Sequence, residues 1–364
     1  MEKKFDRPTS ASNFFEFVAS EFYKIGSDER RFFLDKEKSG EFVQRLGFRI
    51  PKRYGVLNDI SSLTAKDLHD SCVLKYGRGW SSQGVMLLER KRDGNYFDYM
   101  ALESLSLDKI IDRQKKTHLK FGHEDKFWII EEFLPSIYSC GRIPFDYKFY
   151  TFYGKVAVIL QIDRNSTPPR IAIFDENFLP LEPGKDYILG TQEMQIGVPL
   201  IPYHATEMLK CAQILSQATR SPFVSIDLYD TPNGLVFGEF TFSPGGVHNR
   251  LQKYEHSWID RFDEFFAAAK SAIAAQAFAN PESSNSPETV SKPDVEKPLM
   301  DVWEYQTLSA FAYNAGTRGA LRLADYFWQQ EKIATDRDMR ETYRFHKRAW
   351  AKVREFIIKS RNVQ

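Results

Sequence analysis

The sequence has little cysteine, no long apolar run and no excess of either charge. Its three cysteines, Cys72, Cys140 and Cys211, lie far apart, without the spacing of a metal site or a disulfide framework. They are therefore expected to be small buried side chains in a protein of a reducing compartment. No apolar run approaches the length of a membrane span, and no signal-peptide pattern follows the first ten residues. These absences predict a soluble, cytoplasmic protein without a transmembrane segment.

The charges are balanced, with 50 Lys plus Arg against 49 Asp plus Glu. This balance argues against nucleic acid as the main partner, because such proteins carry a basic excess. The 30 Phe and 17 Tyr exclude wholesale disorder and favour a well-packed globular protein. A chain of 364 residues has room for two or three domains.

The apolar periodicity predicts an N-terminal helical segment over residues 1–30 and a main mixed domain over 31–278. Residues 279–300 are rich in Pro, Ser and Glu, lack periodicity and are predicted to form a disordered linker. Residues 301–364 form a helical module whose many aromatic side chains must bury between its own helices, on the main domain or in a partner. Helices are predicted over 11–26, 35–47, 103–116, 204–219, 257–278, 303–311, 319–332 and 335–360.

Residues 223–247 contain two alternating apolar runs around Pro232-Asn233-Gly234, which predicts a β-hairpin. A two-residue Asn-Gly turn would place Asp227 opposite Phe240. A three-residue Pro-Asn-Gly loop, which we favour, places Asp227 opposite Glu239. Two facing carboxylates repel unless a cation lies between them, and Mg²⁺ prefers such oxygen ligands. The alternative is a solvated face on which both acids point to water.

A second feature is a loop rich in Gly and Ser between a strand that ends at Lys75 and a strand that begins at Gly84. Because Gly permits positive φ, successive N–H groups of such a loop can converge on an anion. An ordinary mobile hairpin loop is the alternative.

Two further stretches carry charged residues within apolar strands. Residues 127–134, FWIIEEFL, predict a strand with two acids near its end. Residues 145–163 predict two strands around Gly154, with Lys148 among aromatic side chains on one face and Arg164 just beyond the second strand. A lysine in such surroundings either extends to solvent or meets an anion.

In this order the motifs VLKYGRGWSSQG, IIEEFL, DYKFYTFYGK, VSIDLY and FGEFTFSPGG resemble the ATP-grasp superfamily, and most closely its teichuronopeptide-biosynthesis (TupA-like) group. The resemblance covers roughly residues 31–255. It implies an α+β ATP-grasp fold, in which two α+β subdomains with antiparallel sheets clasp ATP. The C-terminal all-α module has no counterpart in this pattern.

The resemblance also implies a site, in which lysines and a flap hold phosphates, a hinge holds adenine and two acids hold Mg²⁺. The matching residues are Lys36 and Lys75 at the phosphates, Ser81, Ser82 and Gly84 in the flap, Glu131, Glu132, Phe133 and Leu134 at the hinge, Lys148 and Arg164 as catalytic cations, and Asp227, Glu239 and Thr241 as metal ligands.

Three positions depart from the family pattern. Thr241 stands where an Asn is common, Ser225 stands where an Arg often precedes the first acid, and Tyr138 lies near the position of a ribose-binding carboxylate. The missing arginine removes a candidate for transition-state stabilisation. Candidates to replace it are Arg142, Arg170 and Arg250.

The implied activity is that of an ATP- and Mg²⁺-dependent carboxylate–amine ligase acting through an acyl phosphate. By resemblance, it would modify a cell-surface polysaccharide or its precursor with an amino acid or amine. One alternative is an ATP-grasp kinase that phosphorylates a sugar-like hydroxyl. The other is a non-catalytic nucleotide-binding scaffold whose helical module binds the main domain, a second copy or another protein.

Overall fold

A computed structural model describes residues 11–23, 28–79, 82–124, 126–138, 141–279 and 298–361. The chain divides into two compact units. The smaller unit comprises residues 50–136 and 141–143, and the larger unit comprises residues 1–49, 137–140 and 144–364. Within the described ranges, no helix combines the length and the apolar character that a membrane span requires.

The larger unit begins with three helices, of which the first and third have side-chain caps. Asn13 caps α1 by accepting a hydrogen bond from the backbone N of Glu16 at 2.9 Å. Asp35 caps α3 by accepting from the backbone N of Glu37 at 2.9 Å, so Lys36 is the first residue of that helix. The helices are α1 (Phe14–Phe22), α2 (Asp28–Leu34) and α3 (Lys36–Arg45).

The smaller unit is a six-stranded antiparallel sheet covered on one face by a helix. Alternate strand residues such as Leu74, Leu88 and Ile130 are buried on the covered face, where they pack with Ile110 of the helix. The strand order is β1-β6-β2-β3-β4-β5. The strands are β1 (Arg53–Leu57), β2 (Ser71–Tyr76), β3 (Val85–Arg90), β4 (Tyr96–Asp98), β5 (Glu103–Leu105) and β6 (Trp128–Glu132); a 3₁₀ turn spans Ile60–Ser62 and the helix is α4 (Leu107–Phe121).

The predicted start of α4 at residue 103 is wrong. Residues 103–105 instead form β5, which pairs with β4, and Ser106 then caps the helix. The helix ends at Phe121, five residues later than predicted, and is capped by Gly122, whose φ of 63° suits a residue without a Cβ. Strand pairing with a neighbour therefore decides a boundary that local periodicity placed in the helix.

The larger unit contains a second six-stranded sheet, of order β11-β9-β8-β7-β12-β13. Its central strand β8 is buried along its whole length apart from Lys155, as expected for a strand covered on both faces. All of its pairs are antiparallel except β11 with β9. The remaining elements of this part are β7 (Asp146–Phe152), β8 (Lys155–Asp163), β9 (Arg170–Asp175), β10 (Tyr187–Leu189), β11 (Gln195–Ile196), α5 (Ala205–Ala218), β12 (Val224–Thr231), β13 (Gly234–Thr241), α6 (Gly245–His248), β14 (Gln252–Tyr254) and α7 (His256–Ala279).

The β12–β13 hairpin closes by a different turn from the one predicted. Thr231 pairs with Gly234, so the loop has two residues, Pro232 and Asn233, and the three-residue loop is wrong. A bulge between Ile226 and Leu228 then shifts the register, and Ser225 pairs with Thr241. On the side of the bulge away from the turn, the strands therefore have the alignment that the three-residue loop predicted. Asp227 lies at the bulge, opposite Gly238 and Glu239.

Three C-terminal helices of the larger unit pack on the rest of that unit. The hydroxyl of Tyr305 donates to the carbonyl of Ile201, and the hydroxyl of Tyr203 donates to the carbonyl of Met300 at 2.7 Å. Much of the aromatic surface of these helices is buried in this way, although Trp303 is 71% exposed. Most of the predicted linker, residues 280–297, lies outside the described residues. The helices are α8 (Val302–Ala315), α9 (Thr317–Ile333) and α10 (Arg337–Arg361).

Candidate active site

In the smaller unit, Lys75 and Glu131 form an ion pair on the face of the sheet opposite α4. Their side chains lie on neighbouring strands β2 and β6, with Lys75 Nζ 2.5 Å from Glu131 Oε1. Both are largely shielded, with side-chain exposures of 17% and 13%. The pair fixes one lysine ammonium at the end of β2, next to the loop that leads to β3. Glu131, predicted as a hinge residue, thus positions Lys75 through its side chain.

The loop between β2 and β3 has the backbone freedom that the sequence predicted. Ser82 and Gly84 adopt positive φ, at 59° and 79°. The loop is anchored to α4, because Gln114 Nε2 donates to the carbonyl of Gly84 at 3.1 Å. Lys120 of α4 also donates to the side chain of Gln83 at 2.6 Å. The predicted flap residue Ser81 lies outside the described residues.

The predicted hinge continues past the last residue of β6. Glu132 Oε2 accepts a hydrogen bond from the backbone N of Lys52 at 3.1 Å, which holds β6 to the segment before β1. Phe133 lies against Tyr99, with ring centroids 5.9 Å apart, and Leu134 is buried. The structure thus places these residues on one continuous stretch; their adenine-binding role stays a prediction.

In the larger unit, one face of the sheet carries a buried cluster of opposite charges. Cross-strand pairing puts Lys148 of β7 directly beside Asp227 of β12, and their side chains form an ion pair. Asp146, two residues before Lys148, points to the same face, and its Oδ2 lies 3.1 Å from Lys148 Nζ. Asp146 is not among the residues predicted for the site, although the same period-2 alternation that places Lys148 also places Asp146 on this face.

Arg164 joins this cluster from the end of β8. Its Nη1 donates to Asp146 Oδ2 at 3.0 Å. Burial alone would raise the pKa of Asp146, but the charges of Lys148 and Arg164 outweigh burial and lower it. Burial likewise opposes the charge on Lys148, yet Asp146, Asp227 and Glu239 raise its pKa. Lys148 is therefore a fixed cation, not a proton donor or acceptor.

The pKa of Asp227 shifts in the opposite direction to that of Asp146. Its burial, reinforced by the negative charges of Asp146 and Glu239, raises its pKa well above the usual range, although Lys148 opposes this shift. The cluster contains three carboxylates, those of Asp146, Asp227 and Glu239, but only two cations, Lys148 and Arg164. With Asp227 ionised, the cluster would carry three negative charges against two positive ones, so a further cation would stabilise the ionised form of Asp227.

The donor set here fits a Mg²⁺ ion held together with phosphates. Asp227 Oδ1 is buried and has no hydrogen-bond partner among the described residues, whereas Glu239 is exposed. Thr241 lies next along the face, paired with Ser225, whose buried hydroxyl also has no partner in the described chain. Within the described ranges no three His, Cys, Asp or Glu side chains converge as a complete metal site. Two carboxylates suffice for Mg²⁺, which takes its other ligands from phosphates and water.

The other candidate cations lie elsewhere. Lys36 begins α3, and Arg142 forms an ion pair with Glu89 in the smaller unit. Arg170 donates to the hydroxyl of Tyr313 at 3.0 Å, and Arg250 is exposed. Of the basic residues weighed for the larger sheet, the structure brings Lys148 and Arg164 together at the carboxylates.

Comparisons with known proteins agree with the resemblance. A sequence model of the TupA-like ATP-grasp family matches residues 18–262, which confirms both the resemblance and the α+β ATP-grasp fold class. A search of curated protein sequences gives no match.

Similar solved structures include two D-alanine–D-alanine ligases and a RiPP-associated ATP-grasp ligase. The Bacillus anthracis ligase is 14% identical over 72% of this chain and 77% of its own, with a TM-score of 0.42. The Helicobacter pylori ligase is 14% identical over 71% and 67%, with a TM-score of 0.39. The RiPP-associated ATP-grasp ligase of Chryseobacterium gregarium is 11% identical over 76% and 73%, with a TM-score of 0.32. Because the family model covers more than half of the sequence, the chain belongs to the TupA-like ATP-grasp family.

Proposed function

We propose that the protein joins a carboxylate to an amine and converts ATP to ADP and phosphate. The observation that carries this proposal is the largely buried cluster on the larger sheet, where Lys148 and Arg164 contact Asp146, Lys148 also contacts Asp227, and the exposed Glu239 adds a further negative charge. Buried charges are costly, so a cluster that holds Asp227 with a strongly raised pKa beside two cations favours a functional role over a structural one. Fixed cations beside carboxylates suit a phosphoryl group that carries its own Mg²⁺.

The reaction has two bond changes that balance. An oxygen of the substrate carboxylate bonds to the γ-phosphorus of ATP while the bond from that phosphorus to the ADP oxygen breaks. The amine nitrogen then bonds to the carbonyl carbon of the acyl phosphate, phosphate leaves, and the nitrogen loses a proton to water. The sequence provides no Ser/His/Asp or Cys/His set, and this route needs no nucleophilic side chain.

In this proposal each named residue positions or neutralises charge. Lys36 and Lys75 bind phosphate oxygens, and Glu131 holds Lys75 in place. The flap residues Ser82 and Gly84, together with Ser81, supply N–H groups and exclude the water that would hydrolyse an acyl phosphate. The hinge residues Glu131, Glu132, Phe133 and Leu134 bind adenine through the backbone.

The larger sheet supplies the remaining roles. Lys148 and Arg164 face the transferred phosphoryl group, and Asp227 and Glu239, with Thr241 beside them, would hold Mg²⁺. When bound, Mg²⁺ neutralises charge on the phosphate oxygens. The domain boundaries, the cytoplasmic location and a surface polysaccharide or its precursor as the substrate remain predictions from the sequence.

The proposal is tested by measuring nucleotide release over paired libraries of carboxylates and amines. We expect ADP and phosphate to form only when a member of each class is present. Asp227→Asn should reduce the rate by at least about 100-fold, since a Mg²⁺ ligand is lost. Asp260→Asn, at an exposed site on α7, is the matched control and should retain the wild-type rate.

Each other product pattern excludes the ligase in a recognisable way. AMP and pyrophosphate in place of ADP would rule out the acyl phosphate. ADP formation with a hydroxylated acceptor and no amine would indicate the kinase instead. Nucleotide binding without turnover under any pairing would favour the scaffold.

A further inference from the structure

One face of the larger sheet changes from aromatic to charged along strands β7 and β12. Phe223, Ser225 and Asp227 stand at alternate positions, so their side chains share this face. Ser225 pairs with Tyr150 of β7, and Asp227 pairs with Lys148. The rings of Tyr150 and Phe223 lie 5.6 Å apart. The hydroxyls of Ser225 and Tyr150 therefore stand between the aromatic end of the face and its ion pair.

A two-stranded ribbon, formed by β10 and β14, brings two more tyrosines to this face. The ribbon pairs Tyr187 directly with Tyr254, so the two side chains project on the same side of it. The ring of Tyr254 packs against Phe262 of α7, with centroids 5.1 Å apart, and Phe262 stacks on Phe152 of β7 at 6.2 Å. Because Phe152 is two residues from Tyr150, it shares the same face of the sheet. The β10–β14 ribbon therefore packs over that face.

Four polar atoms of this region are buried without partners. The hydroxyls of Ser225, Tyr187 and Tyr254 make no hydrogen bond among the described residues, and neither does Oε1 of Gln252. Gln252 lies two residues before Tyr254 on β14, and a Cβ at Gly246 would lie 2.0 Å from that Oε1. Unpaired buried polar atoms destabilise a fold, so a group of four is explained more readily by a ligand that completes their bonds than by structural need.

The hydrogen-bonding capacity of these side chains defines what they can bind. Burial raises the pKa of Tyr150, Tyr187 and Tyr254, so the hydroxyls keep their protons and can both donate and accept. The Oε1 atom of Gln252 accepts only. None of these side chains is charged, so a buried ammonium or carboxylate would lack a counter-charge among them. Hydroxyl and amide groups, which donate and accept without charge, match them.

We propose that these side chains form a subsite for uncharged polar groups of the carboxylate substrate, which are hydroxyls or amides next to its reacting carboxylate. This inference rests on the proposed function. Residues two apart on a strand are about 7 Å apart, so a carboxylate held beside Lys148 would have its neighbouring atoms at the hydroxyls. Because the hydroxyls are buried, the β10–β14 ribbon has to move when the subsite fills. The hydroxyl subsite consists of Tyr150, Tyr187, Ser225, Gln252 and Tyr254.

A first experiment tests whether the tyrosine hydroxyls lack partners in the protein without substrate. Tyr187→Phe and Tyr254→Phe each delete one hydroxyl, and we expect the melting temperature of the full chain to stay the same or to rise. The matched control is Tyr147→Phe. Tyr147 points to the opposite face of β7, and its buried hydroxyl donates to the carbonyl of Leu200 at 3.0 Å. Loss of that bond should lower the melting temperature by at least about 2 °C.

A second experiment measures which acids the protein activates. The full chain is given MgATP and hydroxylamine, which converts an acyl phosphate to a hydroxamate, so the natural amine need not be known. Four acids differ in the group beside the carboxylate: gluconate has hydroxyls, N-acetylglycine an amide, glycine an ammonium and butyrate an alkyl chain. We expect gluconate or N-acetylglycine to show a kcat/KM at least about tenfold above those of glycine and butyrate. The better of the two distinguishes hydroxyls from amides.

The phenylalanine variants connect this selectivity to the hydroxyls. Tyr187→Phe and Tyr254→Phe should each raise the KM for the preferred acid at least about fivefold, because each removes a hydrogen bond to that acid. The KM for MgATP should stay within about twofold of wild type. Tyr147→Phe should retain the wild-type KM for both the acid and MgATP.

The outcomes separate this inference from the proposed function. If the wild type forms no hydroxamate from these four acids or from a wider carboxylate library, the ligase proposal fails, and the subsite that rests on it fails as well. Hydroxamate formation that favours ammonium-bearing or alkyl acids, or a preference that survives in both phenylalanine variants, would overturn the subsite alone. A fall in the melting temperature of both variants as large as that of Tyr147→Phe would also overturn it, since their hydroxyls would then be bonded to protein or buried water without substrate.

Discussion

Lys75 depends on a single carboxylate for its position. Glu131 is within 2.5 Å of its ammonium, and both side chains are mostly shielded from water. A charged hydrogen bond in such surroundings is stronger than one on the open surface. If Lys75 binds nucleotide phosphates, Glu131→Gln should weaken MgATP binding about tenfold, or about 1.4 kcal/mol. Calorimetry with a non-hydrolysable ATP analogue measures this change.

The matched control in the same unit is Glu103→Gln. Glu103 accepts from Arg113 at 2.6 Å, but its side chain is 44% exposed, so its loss should change binding less than twofold. An unchanged affinity for the ATP analogue in Glu131→Gln would show that nucleotide binding does not depend on the ion pair between Lys75 and Glu131.

The residues of the larger sheet show what the sequence was able to predict. The alternation of side chains along β7 and β12 was sufficient to predict which face of the sheet Lys148 and Asp227 occupy. The same alternation also places Asp146, two residues before Lys148, on that face. Alternation could not predict the bulge, because the bulge depends on how closely the two strands pack at Gly238. A Cβ at Gly238 would lie 2.9 Å from Tyr229 Cε2 and 3.2 Å from the carbonyl oxygen of Asp227. That close approach brings Glu239 beside Asp227, although the turn that was predicted to do so does not form.

At the scale of elements, the β2–β3 flap depends on one glycine at its base. Gly84 has a φ of 79°, and a Cβ there would lie 2.8 Å from Thr117 of α4. Gly84→Ala should therefore cost about 3 kcal/mol of unfolding free energy, from backbone strain and overpacking together. Denaturation followed by the fluorescence of buried Trp128 measures the loss in this unit.

A substitution at Gly94 separates the cost of backbone strain from the cost of overpacking. Its φ of 84° is similar, but nothing lies within 4 Å of its added Cβ. Gly94→Ala should cost only the backbone strain, about 1 kcal/mol. Equal losses in the two variants would mean that α4 does not hold the flap.

The local signals of α4 and β5 illustrate why element boundaries were harder to predict than elements. The run from residue 103 was interpreted as helix because its charges and apolar residues fit that period. In the structure, residues 103–105 pair with β4, and Ser106 caps a helix that begins at Leu107. Only four residues separate β4 from β5, but a strand of three residues is too short for its alternation to be distinguished from the start of a helix.

At the scale of the whole molecule, aromatic hydroxyls attach the C-terminal helices to the rest of the larger unit. Tyr305 donates to Ile201, Tyr203 donates to Met300, and Tyr313 donates to Asp163. These contacts bury polar groups of both partners, so each is costly to leave unpaired. The helical module therefore stabilises the segment at residues 200–204 that leads into α5.

His346 makes the stability of this attachment depend on pH. It is fully buried on α10 between Phe327 and Tyr305, and neither ring nitrogen has a partner among the described residues. Burial, with a smaller contribution from the charge of His204, lowers the pKa of His346 to about 3. In the unfolded chain a histidine titrates near 6.5, so only the unfolded state takes up the proton between about pH 6.5 and pH 3.

The stability of the larger unit should consequently fall as the pH drops below about 6.5. At pH 5, proton uptake by His346 in the unfolded chain lowers the free energy of unfolding by about 2 kcal/mol, and above pH 7 this loss vanishes. Replacing His346 with Phe removes the titration and keeps an aromatic ring beside Phe327, at a centroid distance of 4.8 Å in the wild type. The advantage of His346→Phe over wild type should thus be about 2 kcal/mol larger at pH 5 than at pH 8, by chemical denaturation at each pH. His256→Phe, at a side chain that is 81% exposed, should show no such dependence, and a pH-independent difference for His346→Phe would contradict the prediction.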